Sequence, residues 1–310
     1  MREIFIGTEA VDNGSVTRHE LQRWYRPAFR NVYAPKGARL TLYERTVAAW
    51  LWSSRRGVVT GLAAAALHGS RWIDDDIDIE LIHSNPRAPQ GIITRNERIA
   101  SDERLELGGM PVASPARTAF DLGRFRRGHD AVARLDALMR ERPFSPEDVM
   151  LLAKRYRGAR GVAQLKAALP RVDGAAMSPR ETFWRLLVVD SGFPEPSTQI
   201  PVFDERGRPV RVLDMGWEDV KVAIEYDGDQ HQADRRQYLK DRRVLPVLDR
   251  LGWNVLGVVR EDDPVAVIQN LHEAMKARGW KGRIEIPAYA YRRWGSEMAA
   301  TQRKFKTTPA

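Results

Sequence analysis

Between Val212 and His231 the chain reads VLDMGWEDVKVAIEYDGDQH, six carboxylates and a histidine set among strand-forming apolar residues. Carboxylates crowded in a half-buried setting raise one another's pKa values or require a cation between them. A hard divalent ion bound through carboxylate and carbonyl oxygen, with water retained, is the natural counterion. Such an ion polarises a phosphate and acidifies a bound water. His231 stands four residues past Asp227, where an imidazole could serve as base, acid or phosphate contact. A salt-bridged surface hairpin is the structural alternative for the same residues.

Three strand-like runs must position these groups: TQIPVF, RPVRVLDMGW and VKVAIEYDG, broken by DERG and ED turns. Setting the second run against the third, across a two-residue turn at Asp219-Val220, makes Leu213 face Tyr226, Met215 face Ile224 and Trp217 face Val222. The other face pairs Asp214 with Glu225 and Gly216 with Ala223. A slip of one residue would set carboxylates against the apolar stripe, so the pattern specifies this register. Asp227 follows Glu225 by two and shares its face. Gly216, Ala223 and Gly228 are small and leave room for a ligand. Upstream, SPRETFWRLLVVDSGF has Ser178 as helix cap, Pro179 at the first position and Glu181 three beyond the cap. Phe183, Leu186 and Leu187 form its apolar face and Gly192 stops it. Capping alone accounts for Glu181.

The first half is organised differently. Thr17 and Glu20 have capping-box spacing, and NVYAP alternates as a short strand ending at Pro35. Helix, turn and hairpin in a basic segment suggest half of a small winged helix-turn-helix. TLYERTVAAWLW and VVTGLAAAALHG read as two helices, with His68 a C-terminal capping residue beside Gly69. DDDIDIELIH reads as a strand with Ile77, Ile79 and Leu81 facing one way. Its Asp76 and Asp78 are solvated turn residues rather than a metal pair, since no supporting Gly-Ser loop accompanies them. Ser114 and Pro115 open another helix, and residues 129–170 are mostly helical. The basic loop KRYRGARG, 154–161, is either a phosphate-contacting strap or a solvated linker.

The chain has 310 residues, enough for two or three domains. Its 50 Lys+Arg against 41 Asp+Glu, a formal +9, favour a polyanionic partner. The absence of cysteine excludes disulfides, thiolate metal sites and a cysteine nucleophile. The N-terminus MREIFIGTEAVDNG lacks an apolar core of signal-peptide type, and no apolar run is long enough to span a bilayer. A cytoplasmic protein is expected.

SPRE opening a helix, RVLDMGW, VAIEYDGDQH, and the D..R…L…GW.VL run from Asp241 to Leu256 together resemble the PD-(D/E)xK nuclease superfamily. Within it they resemble the domain of unknown function 559 branch, related to very-short-patch repair endonucleases. The likeness covers residues 176 to 262. It implies an α-β-β-β-α-β domain with a mixed sheet: helix 179–190, three strands, helix 232–251 interrupted near Pro246, and strand 253–259. It implies Mg²⁺ or Mn²⁺ on Asp214, Glu225 and Glu181. Asp227 stands where the superfamily usually has lysine, so His231 or Lys240 takes the water-activating role. SVTRHEL…RNVYAP, GLAAAALHG and PVASPARTAFDL are similar to the winged-helix region of abortive-infection antitoxins of AbiEi type, which implies DNA binding and transcriptional regulation or phage defence.

The expected protein is thus α/β (α+β): a winged-helix-like region at 1–55, a mixed helical middle at 56–175, a restriction-endonuclease-like domain at 176–285 and a basic, mobile tail at 286–310. The expected activity is Mg²⁺-dependent endonucleolytic hydrolysis of DNA, in repair or phage defence. The rival is a DNA-binding, antitoxin-like regulator on an inactive nuclease scaffold. DNA is the expected partner, a membrane is not, and a homodimer stays open.

Overall fold

The structure is a computed structural model describing residues 4–227 and 244–291. His231, Lys240, Gly228 and the chain beyond 291 lie outside the described residues, as does most of the helix expected at 232–251. The chain divides into two compact units between Gly174 and Ala175. Both mix helices with sheets, so the α/β class is as expected.

The N-terminal unit opens with β1 (Phe5–Ile6), α1 (Gly7–Asp12), α2 (Arg18–Trp24), β2 (Tyr25–Phe29) and β3 (Val32–Pro35), the strands ordered β1-β3-β2 and antiparallel. The Thr17–Glu20 capping box forms in full and starts α2. No residue of α2 is buried, and Trp24 is 58% exposed. Helix α2 followed by the β2–β3 hairpin is the order expected for this segment, and β1 adds a third strand.

The middle of the chain carries more strand than its sequence suggests. After α3 (Leu42–Trp52) come β4 (Val58–Thr60), α4 (Gly61–Leu67), β5 (Ile79–Ile82), β6 (Ile92–Arg95), β7 (Arg104–Leu107) and β8 (Met110–Ala113). They form a mixed five-stranded sheet of order β6-β5-β4-β8-β7. VVT is therefore a strand, not the start of a helix. Its three residues are all buried, and β-branched residues with both faces covered favour a central strand. The same burial explains β5: Glu80 is as hidden as Ile79 and Leu81, so the strand does not alternate. Helices α5 (Pro115–Phe125), α6 (Gly128–Glu141), α7 (Pro146–Arg155) and α8 (Val162–Ala168) complete the unit, with Ser114 capping α5 as expected.

A buried ionic network joins α5 to the sheet. The Arg117 guanidinium, 1% exposed, meets Asp121 at 3.0 Å, Glu103 at 2.5 Å and Glu97 at 3.1 Å. Arg124 reaches Glu97 at 2.6 Å and Asp121 at 2.9 Å, and the Thr60 hydroxyl donates to Asp121 at 2.6 Å. Glu80 takes Arg95 and Arg126; burial works to raise its pKa, but the Arg126 and Arg95 charges prevail and hold it below the usual carboxylate range. Arg155 and Tyr156, from the basic 154–161 segment, are committed to Asp102 and Glu103.

The C-terminal unit contains α9 (Pro179–Asp190), β9 (Ser197–Phe203), β10 (Pro209–Trp217), β11 (Val222–Tyr226), α10 (residues 244–250), β12 (Asn254–Val258) and α11 (Pro264–Ala277). Its sheet order is β12-β11-β10-β9, with β11 and β12 parallel and the other pairs antiparallel. Met215, Trp217, Val222 and Ile224 pack with Phe183, Trp184 and Leu187 of α9 and with Ile268 and Leu271 of α11. Ile200, Val202, Leu213 and Ala223 form a separate cluster with Leu248 of α10 and Trp253.

Two tests follow for the N-terminal unit. Arg117→Ala strands Asp121 and Glu103 as unpaired buried carboxylates and should cost about 3–5 kcal/mol, measured by denaturant unfolding. His68 caps α4, and its ring Nε2–H donates to the Ala113 carbonyl at 2.8 Å; burial lowers its pKa from the ordinary 6.5. The unfolded chain therefore protonates first, so this contribution is complete above 6.5 and is lost as pH falls through the lower folded value. His68→Gln should reduce the acid-side loss of unfolding midpoint in a urea–pH series; an unchanged slope would assign that loss to other groups.

Candidate functional site

The strand register places the site. Met215 pairs with Ile224, Gly216 with Ala223 and Trp217 with Val222, as the apolar pattern requires. Gly216 is needed there: a Cβ would sit 2.5 Å from the Val222 carbonyl oxygen and 2.9 Å from the Ala223 Cα. The connection spans residues 218–221, with Lys221 at φ 51° supplying the reversal.

Beyond Met215 the two strands part. The expected ladder pairs Asp214–Glu225 and Leu213–Tyr226 do not form. Here β11 continues in register with β12, through Glu225 against Gly257 and Tyr226 against Val258, while β10 continues with β9. Leu213 leaves the stripe of Met215 and Trp217 and joins the cluster containing Ala223 and Ile200. Gln199 marks the reason: it lies between the pairs Leu213–Ile200 and Met215–Thr198, opposite Asp214, at φ 52°. A left-handed residue in a strand costs about 1–3 kcal/mol and persists only where its surroundings impose it.

At this fork the Asp214 carboxylate replaces the missing ladder partner. Its Oδ2 accepts the Tyr226 backbone N–H at 2.8 Å. Glu225, the neighbour of Tyr226, is half-buried and accepts the Arg211 Nε–H at 2.6 Å. Asp214 thus holds the N–H that follows Glu225, while the Glu225 side chain is held by Arg211. Glu181, 9% exposed, accepts the Met177 N–H and Ser178 hydroxyl at 2.9 Å and the Gln199 amide at 3.3 Å. Its capping role is therefore present, and Gln199 ties it to the strand position opposite Asp214. Asp227 is exposed at the end of β11, its N–H donated to the Val258 carbonyl. The Met215–Ile224 register beside the fork was legible in the sequence, but the Asp214–Glu225 pair it implied does not form. Gln199 and Arg211 were not legible, because neither a positive φ nor a diagonal ion pair leaves a periodic signal.

Among the described residues no group of three His, Cys, Asp or Glu side chains is arranged to hold a metal ion. Mg²⁺, however, is held through one or two carboxylates, with water and substrate phosphate filling the remaining positions. A carboxylate offers about four acceptor directions, so the Tyr226 N–H and the Arg211 guanidinium do not preclude an ion. Asp214 and Glu225 are the residues that would hold such an ion.

Two uncharacterized proteins, from two strains of Mycobacterium tuberculosis, are similar to this chain. Each is 29% identical over 254 residues, covering 81% of this chain and 88% of the relative. No protein-family model matches the chain, and no solved structure matches it.

The fork predicts a contrast between two substitutions. Asp214→Ala removes the acceptor from the Tyr226 N–H and should cost the C-terminal unit about 1–3 kcal/mol. Asp214→Asn retains a carbonyl acceptor of the same shape and should cost clearly less. Denaturant titration of the pair decides; equal losses would show that the carboxylate charge, not the hydrogen bond, holds the fork.

Proposed function

We propose that this chain is a metal-dependent DNA endonuclease. The observation that carries the reading is the strand fork beside Gly216 and Ala223, where Asp214 accepts the N–H that follows Glu225. Two carboxylates at the point where strands separate form a small oxygen-rich seat next to little side-chain bulk. The helix–strand–strand–strand–helix–strand order around it supports the same reading.

In this proposal Asp214 and Glu225 hold the ion, which when bound polarises the scissile phosphate and lowers the pKa of a water. The Tyr226 N–H fixes the Asp214 carboxylate before substrate arrives. Arg211 orients Glu225, and its guanidinium adds positive charge where a phosphate would approach. Gln199 braces Glu181, and with it the start of α9, against β9. His231 and Lys240, outside the described residues, are the proposed carriers of the proton taken from water. The exposed α2, with Arg18 and Arg23, and the hairpin after it bring the chain to DNA, helped by the +9 balance. No described helix is long and apolar enough to cross a membrane, and we place the protein in the cytoplasm. Repair and phage defence are the proposed settings, and a homodimer would supply a second centre for cutting both strands.

One observation favours a second reading, a DNA-binding regulator. The 2.6 Å Arg211–Glu225 pair already balances one of the two carboxylates. An arrangement stable without an ion suits a nuclease scaffold kept only for its shape.

Cleavage separates the two. Purified protein with plasmid and short duplexes should nick DNA with Mg²⁺ or Mn²⁺ and not with EDTA. Asp214→Asn should lower the rate by orders of magnitude, the several kcal/mol that metal assistance supplies, while DNA retention in a gel-shift assay persists. His231→Ala should lose about 10²–10⁴-fold if the imidazole moves the proton. Wild-type protein that binds DNA but cuts none with either ion would establish the regulator reading.

A further inference from the structure

The N-terminal unit carries a cavity of about 370 Å³, within the range of small-ligand sites. It lies where β2, the start of α3, the turn at 75–76 and the turn before β6 meet. Arg26, Arg39 and Arg45 line it together with Phe29, Asp76 and Gln90. The fork in the C-terminal unit does not use this cavity, while β2, which carries Arg26 and Phe29, belongs to the hairpin proposed above to reach DNA.

Two of its arginines differ from those of the buried network. Arg117 and Arg124 are saturated by carboxylates. Arg26 donates instead to the Ala38 carbonyl at 3.0 Å, and Arg45 to the Asp75 carbonyl. The Asp75 carboxylate is turned to the Leu42 N–H at 3.0 Å. Among the described residues neither guanidinium has an ion-pair partner; both are oriented by neutral carbonyls, and the Asp75 and Asp76 carboxylates line the same cavity. Three arginines against two carboxylates leave the lining cationic, and guanidinium forks held by carbonyls suit a phosphate group.

The cavity also contains an aromatic wall. Gly91, at φ 89°, lies between the two kinds of group: a Cβ there would be 3.8 Å from Arg45 Nη2 and 3.8 Å from Phe29 Cε1. Cation and ring thus border one glycine, and both are half-buried. Beside them Asp76 provides an acceptor and Gln90 an amide, groups that pair with the edges of bases. Inorganic phosphate would use neither the ring nor most of the volume, and a purely apolar ligand would bury the charges unpaired.

We infer that this cavity binds a nucleoside monophosphate unit, its phosphate on Arg26 and Arg45 and its base against Phe29. That unit can be a free nucleotide or one nucleotide of a strand. Calorimetry on the full-length protein in EDTA, with AMP, CMP, inorganic phosphate and a short single-stranded oligonucleotide, tests it. A mononucleotide or the strand should bind, and more tightly than inorganic phosphate. Arg45→Met should weaken binding about 10-fold or more, and Phe29→Leu about fivefold or more. Arg39→Met, at an exposed position, provides a further reduction should the Phe29 variant fail to fold. Binding of the mononucleotide without competition from the strand assigns a free ligand; binding of the strand, alone or in competition, assigns a chain-borne one. The inference is overturned if neither binds, if phosphate alone binds as tightly, or if folded Arg45→Met and Arg39→Met proteins both bind unchanged.

Discussion

The C-terminal unit depends on the hydrogen bond from the Tyr226 backbone N–H to the Asp214 carboxylate. A sheet whose central strands separate leaves a donor without its ladder partner, and burying such a donor unsatisfied costs about as much as a typical destabilising mutation. Asp214 meets that need from a side chain, which lets β11 follow β12 while β10 follows β9. The left-handed Gln199 opposite and the move of Leu213 into the second core cluster both accompany this one substitution of carboxylate for carbonyl.

Charge is handled in two contrasting ways within the chain. In the N-terminal unit Arg117, Arg124, Asp121 and Glu103 neutralise one another almost out of contact with water. Such a network fixes α5 on the sheet and is bound up with folding, because removing any member leaves another buried and unpaired. At the fork the carboxylates are only half-buried, and the Arg211–Glu225 pair has water at its edge. There the electrostatic cost of rearrangement is lower, the property a site needs if charges are to exchange partners with a ligand. The cavity arginines, held by carbonyls, stand further along the same scale.

The charge excess read from composition is distributed in the same uneven way. Many arginines are consumed internally, by Glu80, Glu97, Glu103 and Asp121. The basic 154–161 segment shows the consequence: Arg155 bonds Asp102 and Glu103, and the adjoining Tyr156 also reaches Glu103. Net charge is a statement about the whole chain, and only the fold tells which cations remain at the surface.

Sequence alone determined what is local or periodic. Caps at Thr17, Ser114 and Ser178 were legible because a helix start needs a short-range acceptor for its first N–H groups. The Met215–Ile224 register was legible because strand side chains alternate with period two and one slip would bury charge. Tertiary structure decided the rest. VVT became a central strand because neighbours cover both its faces, and Glu80 is buried because Arg95 and Arg126 arrive from elsewhere in the chain. Asp214 was readable as a candidate residue, but its bond to Tyr226 depends on β12 drawing β11 away from β10. Gln199 and Arg211 join the site through long-range geometry of that kind, which composition, spacing and periodicity do not encode.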